Sequence, residues 1–437
     1  MPDTAASHRA SRTAQIRALA RRDLAGAEAQ LSEFLADTFR IPVSHVRIRQ
    51  DQYSLNSLNG FFRSSGRNYF FKFHQEEGEE DMQGEYYRAD ILARENLPVD
   101  LPVWSSSSPG EQVLVYNRRE DRRFSDVLRD LDEELDDRTV RQAADAERAL
   151  NQTILDVALR TLHAVDEKQV AAEPIHHLFY ERMVDPKTGR APGGRYRSFY
   201  IDQVFSFPGS VLSWKELASA ELHLNGQVMA STIGETFDAA LTNLNPVNLT
   251  GAGGITAHGD AHNANVWYDE GGDAPSLTYF DPAFAGRNIP ALLAEIKPTF
   301  HNVFAHPLWL YEPELAQHRF GAQSQYKNGV LQIETDWDLS NARIAMLNVK
   351  IEAFWKPFLQ HLADEGRLPV NWQDTMRSAL AMCPARVMNL RAGVGAHNPT
   401  SSLIGIFIIG LTGARPKSGQ NRITQFFKSI DPRERHA

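Results

Sequence analysis

The sequence has one cysteine, Cys383, in 437 residues. No disulfide can close within the chain, so nothing here speaks for secretion. Cys383 is followed by Pro384 and has no motif around it, so it reads as a small packed residue rather than a nucleophile. Long apolar runs are lacking too. The longest, Leu403 to Leu411, is far short of the roughly 20 residues a membrane helix needs and is expected to form a buried helix or strand. Residues 1–30 mix Ala and Arg with Asp and Glu and hold no apolar segment of the secretory kind. The expectation is a cytoplasmic protein with no membrane partner. Excess positive charge is also absent. At a net charge of -9 the chain repels phosphate backbones unless a local basic stripe intervenes, which argues against a nucleic-acid partner.

What is present is ordinary for a globular chain: 42% apolar and 23% charged residues. At roughly 100–200 residues per domain, the length suggests two or three units. Leu19, Ala20, Leu24, Ala27, Leu31, Phe34 and Leu35 recur at helical steps, predicting a leading helix over residues 10–40. Beyond Pro42 the pattern turns strand-like. Val46 to Arg49 alternates, and Gly60-Phe61-Phe62 and Tyr69 to Phe73 flank the turn cluster Ser64 to Asn68. A helix is expected over residues 77–96, then a strand pair turning at Ser105 to Gly110 and returning along Gln112 to Tyr116. The rest reads as mainly helical, at 136–168, 214–243, 290–304, 339–363 and 371–394, with an irregular insertion over 170–215.

The chemistry concentrates in His258-Gly259-Asp260-Ala261-His262-Asn263-Ala264-Asn265, followed by a turn at Gly271-Gly272 and by Leu277-Thr278-Tyr279-Phe280-Asp281. The pattern H-x-D-x-x-x-x-N, a turn, then apolar residues and Asp is the catalytic signature of kinases. Phosphoryl transfer needs a positioned acceptor hydroxyl and divalent metal on the phosphates. Asp260 is therefore read as the base that orients the hydroxyl. Asn265 and Asp281 are read as oxygen ligands of Mg²⁺, which prefers such donors. A zinc pair at His258 and His262 would need a helix with Glu between them, and Gly259 and Asp260 stand there instead.

The segment from His258 to Asn265 resembles the H-G-D-x-H-x-x-N motif of the aminoglycoside phosphotransferase and choline kinase superfamily. Leu159 to His163 is similar to the L-x-x-L-H helix end that precedes the catalytic loop in that family. The resemblance covers roughly residues 45–300. It implies an α+β, bilobal protein-kinase-like fold with a small β-rich N-terminal lobe (44–117), a larger mainly helical C-terminal lobe (118–437) and a helical extension (1–43). It further implies that His258 and His262 shape the loop. Lys72 would be the strand lysine on the ATP phosphates, paired with Glu85 on the next helix; Glu79 and Glu80 are fallback partners. The nucleotide loop would lie at Ser54 to Gly60, with Asn56, Ser57 and Asn59 offering polar groups in place of glycines. Val115 to Asn117 would form the hinge that meets adenine. Arg287, Lys297 and His301 are candidates for the substrate pocket, with a solvated helix face as the other reading of Lys297 and His301, and a phosphate contact or a helix cap as readings of Arg287. Tyr196 to Phe207 could line a cleft or form a packed hairpin, and Phe354, Trp355 and Phe358 read as core.

The implied activity is ATP- and Mg²⁺-dependent phosphorylation of a small-molecule hydroxyl on an aminoglycoside-, sugar- or choline-like acceptor. Two other readings stay open. One is a protein kinase, against which Gly259 and His262 speak; the other is a nucleotide-binding pseudokinase with little or no turnover.

Overall fold

A computed structural model describes residues 12–49, 57–74, 88–108, 110–134, 136–305 and 309–433. The chain divides into two compact units. The first draws on Met1–Asp90 and Val99–Glu120, the second on Ile91–Pro98 and Asp121–Ala437.

The first unit opens with two helices where one was expected, α1 (Arg12–Ala20) and α2 (Leu24–Phe39). The break falls at Asp23, whose carboxylate accepts the Gly26 N–H at 2.9 Å and caps α2. Five strands follow: β1 (Ser44–Arg49), β2 (Ser57–Ser64), β3 (Arg67–His74), β4 (Trp104–Ser106) and β5 (Val113–Asn117). They form an antiparallel sheet in the order β1-β2-β3-β5-β4. The β2–β3 turn is Ser65-Gly66, both residues at positive φ, the backbone that matches the twist of paired strands.

Alternation along β3 separates two chemistries. Tyr69, Phe71 and Phe73 are buried with Phe62, Val113 and Val115 against Ile16, Ala27, Leu31, Phe34 and Leu35 of the two helices. Each large apolar side chain so buried is worth about 1.5–3 kcal/mol. The helices are thus part of this unit's core. Lys72 belongs to the other face of the sheet, in a cross-strand row with Asn59 and Leu114.

The second unit is mainly helical, with small sheets. The helix expected over 136–168 runs Asp137–Thr161, and Asp136 caps it. The apolar run Leu403 to Leu411 lies inside the buried helix Pro399–Gly413. Phe354, Trp355 and Phe358 are fully buried, as read from the sequence. Among the described residues no helix is long and apolar enough to cross a membrane.

Two expectations need correction, and one hairpin falls where no element was expected. The segment 214–243 is helical only at Trp214–Ser219 and Ile233–Asn243; between them Glu221–Leu224 and Gln227–Val228 pair around Asn225-Gly226. A second hairpin, Ala322–Lys327 with Val330–Thr335, turns at Asn328-Gly329. All four turn residues sit at positive φ, which Asn and Gly tolerate best. The insertion 170–215 is more regular than expected. Val204–Phe207 and Ser210–Ser213 form a hairpin, and Tyr196, Tyr200, Phe205, Trp214 and Phe237 pack as one ring cluster. Packing therefore explains the aromatic stretch.

His397 is 3% exposed and stands just before the helix Pro399–Gly413, its Nδ1 3.0 Å from Ser401 Oγ. Burial pushes its pKa down to about 4. The unfolded chain takes up a proton there near pH 6.5 and the folded chain does not. The resulting stability is complete above that pH and is lost as the pH falls towards about 4. Denaturant titrations of His397→Gln should lose less stability than wild type between about pH 7 and 5. Equal losses would show that His397 is not a source of the acid sensitivity.

Candidate active site

Strand Gly254–Ala257 is buried along its length, pairs with Gly286–Pro290 and delivers the chain into His258-Gly259-Asp260. Gly259 has φ of 76°, and a Cβ there would stand 2.4 Å from the Phe284 carbonyl oxygen. Only glycine permits that approach. It lets the segment after Asp281 close over the loop. His258 donates from Nε2 to the Phe280 carbonyl at 3.1 Å and accepts the Asp260 N–H on Nδ1 at 3.3 Å. Burial lowers its pKa, so the ring is neutral, as one donor and one acceptor nitrogen require.

Hairpin strands Val266–Asp269 and Ser276–Tyr279 bring the metal-ligand candidates together. The Phe280 N–H donates to the Asn265 carbonyl at 3.0 Å, which places Asp281 beside Asn265. Asn265 donates from Nδ2 to the Asp260 carbonyl at 3.0 Å, leaving Oδ1 for another partner. Asp281 has φ of 54°, an uncommon conformation for a residue other than glycine and one that recurs at functional positions.

The Asp260 carboxylate is occupied. Lys297 Nζ donates to Oδ1, and the two side chains are only 9% and 10% exposed. Burial pushes the Lys297 pKa down; Asp260 opposes that, and repulsion from Arg182 adds to it. His262 Nε2 lies 3.6 Å from the same oxygen. Burial brings the His262 pKa down to about 4 against the pull of Asp260, so near neutral pH it adds no second cation. His301 stands with its ring 5.5 Å from that of His262, and the Tyr311 hydroxyl is 2.9 Å from His301 Nδ1. Burial raises the Tyr311 pKa, so the phenol stays protonated. The Cys383 thiol feels both Lys297 and Asp260, but burial pushes its pKa up, which excludes a ready thiolate.

Lys297 stands on the short helix Ile296–Thr299, which continues as a π-helix over Phe300–Ala305. Buried polar bonds hold both. Lys350 reaches Glu295 at 2.9 Å and Glu147 at 3.2 Å, and the Trp355 indole N–H donates to Thr299 Oγ1 at 2.9 Å. The Asn302 side-chain oxygen accepts the Asn263 N–H of the loop at 2.8 Å, and its carbonyl accepts from Arg343 at 2.7 Å. Arg343 in turn makes a two-pronged contact to Asp132 Oδ2, at 2.9 and 2.7 Å.

Within the second unit the fold therefore gathers His258, Asp260, His262, Asn265, Asp281, Lys297 and His301. Burial of Lys297 and His301 at 7% and 3% exposure removes the solvated-face reading. Arg287 is exposed on strand Gly286–Pro290 and makes none of the cluster's contacts. In the first unit Lys72 is half-buried on β3 opposite Asn59 on β2. Ser57 to Gly60 belong to strand β2, so that half of the expected nucleotide loop is extended backbone. A Cβ on Gly60 would meet the Arg47 carbonyl at 2.0 Å, so this glycine serves strand pairing. The Val115 side chain is fully buried in that unit's core, and Asn117 is exposed at the end of β5. Asn56, Glu79, Glu80 and Glu85 lie outside the described residues.

Sequence reading missed Asn302, Tyr311, Arg343 and Asp132. Each is a single polar residue with no motif around it, and only its partners give it meaning. Among the described residues no three His, Cys, Asp or Glu side chains gather as a metal cage. A hard-cation site here would consist of the Asn265 amide oxygen and the Asp281 carboxylate, completed by phosphate and water.

No family model matches the sequence, and no curated protein matches it. Solved structures similar over most of the chain include a thermostable mutant of an aminoglycoside phosphotransferase in ternary complex with ADP and hygromycin B. It is 12% identical, the match covers 88% of this chain and 99% of that one, and the TM-score is 0.42. A microcompartment-associated aminopropanol kinase is 11% identical over 87% of this chain and 94% of its own, with a TM-score of 0.41. An ethanolamine kinase of Plasmodium vivax is 10% identical over 90% and 84%, with a TM-score of 0.36.

The Asp132–Arg343 pair is 2% exposed on both sides. Arg343→Leu should destabilise the chain by about 3–5 kcal/mol in denaturant unfolding, because it strands a buried carboxylate. Asp132→Leu combined with Arg343→Leu should recover most of that loss. Gly259→Ala should cost about 1–2 kcal/mol through its left-handed backbone alone, before the clash with Phe284. Wild-type melting behaviour in Gly259→Ala would contradict the close approach.

Proposed function

We propose that the chain is an ATP- and Mg²⁺-dependent phosphotransferase that moves the γ-phosphate of ATP to a hydroxyl of a small molecule. The observation that carries this reading is the convergence of Asp260, Asn265 and Asp281. One hydrogen bond ties Asn265 to Asp260, and another sets Asp281 beside Asn265.

In this reading the acceptor oxygen attacks the γ-phosphorus, and the bond from that phosphorus to the β,γ-bridging oxygen breaks as ADP leaves. The acceptor proton passes to the Asp260 carboxylate. Asn265 Oδ1 and the Asp281 carboxylate would hold Mg²⁺, which when bound neutralises phosphate charge. Lys72 is assigned to the α- and β-phosphates, with residues 44–117 as the nucleotide-binding lobe. Residues 118–437 carry the catalytic loop, and the acceptor contacts are assigned to 170–245 and to the chain beyond 305. Neutral His258 and His262 do not repel the metal, and both ring nitrogens of His258 are already hydrogen-bonded within the loop. The acceptor class is an amino-sugar, sugar or amino-alcohol hydroxyl.

ATP consumption measured against pooled amino-sugars, amino-alcohols, sugars and nucleosides should reveal the acceptor. With that acceptor, Asp260→Ala should lower turnover by on the order of 10²–10⁴ while the protein stays folded. Unchanged turnover in folded Asp260→Ala would sink the assignment.

A further inference from the structure

We infer that Lys297 is the positioning residue of the phosphoryl-transfer site, holding the Asp260 carboxylate by one oxygen so that the other faces the acceptor hydroxyl. This rests on the phosphotransferase reading of Asp260.

The geometry is one-sided. Lys297 and His262 both approach Oδ1 of Asp260. Among the described residues Oδ2 accepts no hydrogen bond, although the side chain is only 10% exposed. A carboxylate has about four lone-pair sites, so a buried one with one oxygen satisfied retains acceptor capacity on the other. An acceptor hydroxyl donating to Oδ2 would complete it.

The lysine is anchored more firmly than a surface ion-pair partner would be. It is 37 residues from Asp260 in sequence, on a helix bounded by the Lys350–Glu295 pair and the Trp355–Thr299 bond. Its ammonium meets Arg182 as a repelling neighbour and Asp260 as its closest counter-charge. Swinging away from Asp260 would leave a buried cation uncompensated, so the pair resists rotation about the Asp260 side-chain bonds. A base held this way needs no reorientation when the acceptor arrives, and displacement of a reacting group by about 1 Å can cost on the order of 10²-fold in rate.

The arrangement also bears on charge. Lys297 already compensates Asp260, so this carboxylate is not a free anion waiting for a cationic acceptor. The hydroxyl is recruited by a hydrogen bond to Oδ2, and any ammonium on the acceptor must be met elsewhere.

The test compares Lys297→Met, Lys297→Gln, Lys297→Arg and Asp260→Asn with wild type. ADP release from Mg-ATP is followed with water as acceptor and with any acceptor the pooled screen identifies. Lys297→Met and Lys297→Gln should lower kcat by on the order of 10²-fold. The KM for ATP should stay within about twofold, because nucleotide binding does not use this group. Lys297→Arg should recover at least about tenfold of the loss, since a cation is restored to the same oxygen. Lys297→Gln keeps a donor of similar length and serves if Lys297→Met does not fold. A kcat near wild type in a neutral variant, beside an inactive Asp260→Asn, overturns the inference and leaves the phosphotransferase reading intact. Loss of kcat that Lys297→Arg does not relieve overturns it as well, by reducing Lys297 to packing. If wild type releases no ADP under any condition, the phosphotransferase reading fails and this inference falls with it.

Discussion

An ammonium buried in the second unit has to be compensated, and Asp260 compensates it. Much of the local architecture follows from keeping Lys297 and Asp260 together. The helix Ile296–Thr299 has only one turn, too short to hold a position by itself. It is held by the Glu295–Lys350–Glu147 cluster on one side and by Trp355 on Thr299. On the loop side, Asn302 takes the Asn263 N–H and is itself fixed by Arg343 and Asp132. Buried ion pairs rarely add net stability, but breaking one is costly. Here three such groups brace the backbone that carries Asp260.

The loop adds a second constraint, from sterics. Gly259 admits the Phe284 carbonyl where any side chain would collide, and Asp281 adopts a left-handed backbone two residues before Ala283. Between them His258 bridges from the loop to the Phe280 carbonyl. The loop and the strand end are thus held to each other by one glycine and one neutral imidazole. The first unit uses a simpler device. Strand alternation puts Phe71 and Phe73 against α1 and α2 and leaves Lys72 on the opposite face, so its lysine position follows from the period of two.

Much was legible in the sequence because it is local. The helices at 137–161 and 372–387, the β2–β3 turn and the burial of Leu403 to Leu411 all follow from periodicity and turn chemistry. Two hairpins were equally legible in Asn225-Gly226 and Asn328-Gly329; the first fell inside a segment read as helical, and the second outside every segment read. The part of the expected nucleotide loop at Ser57 to Gly60 is strand, and Gly60 lies beneath the Arg47 carbonyl.

The sequence by itself determined the spacing of His258, Gly259, Asp260, Asn265 and Asp281, because one loop and one hairpin bring them together within a few residues. It also offered Lys297 and His301 as pocket candidates, with no means of telling a solvated face from a buried one. Only the tertiary structure decided that Lys297 turns inward onto Asp260, that Tyr311 meets His301, and that Asp132 and Arg343 brace Asn302. The physical reason is the same in each case. A charge placed far along the chain takes its meaning from the counter-charge that burial forces on it, and folding alone chooses which residue that is.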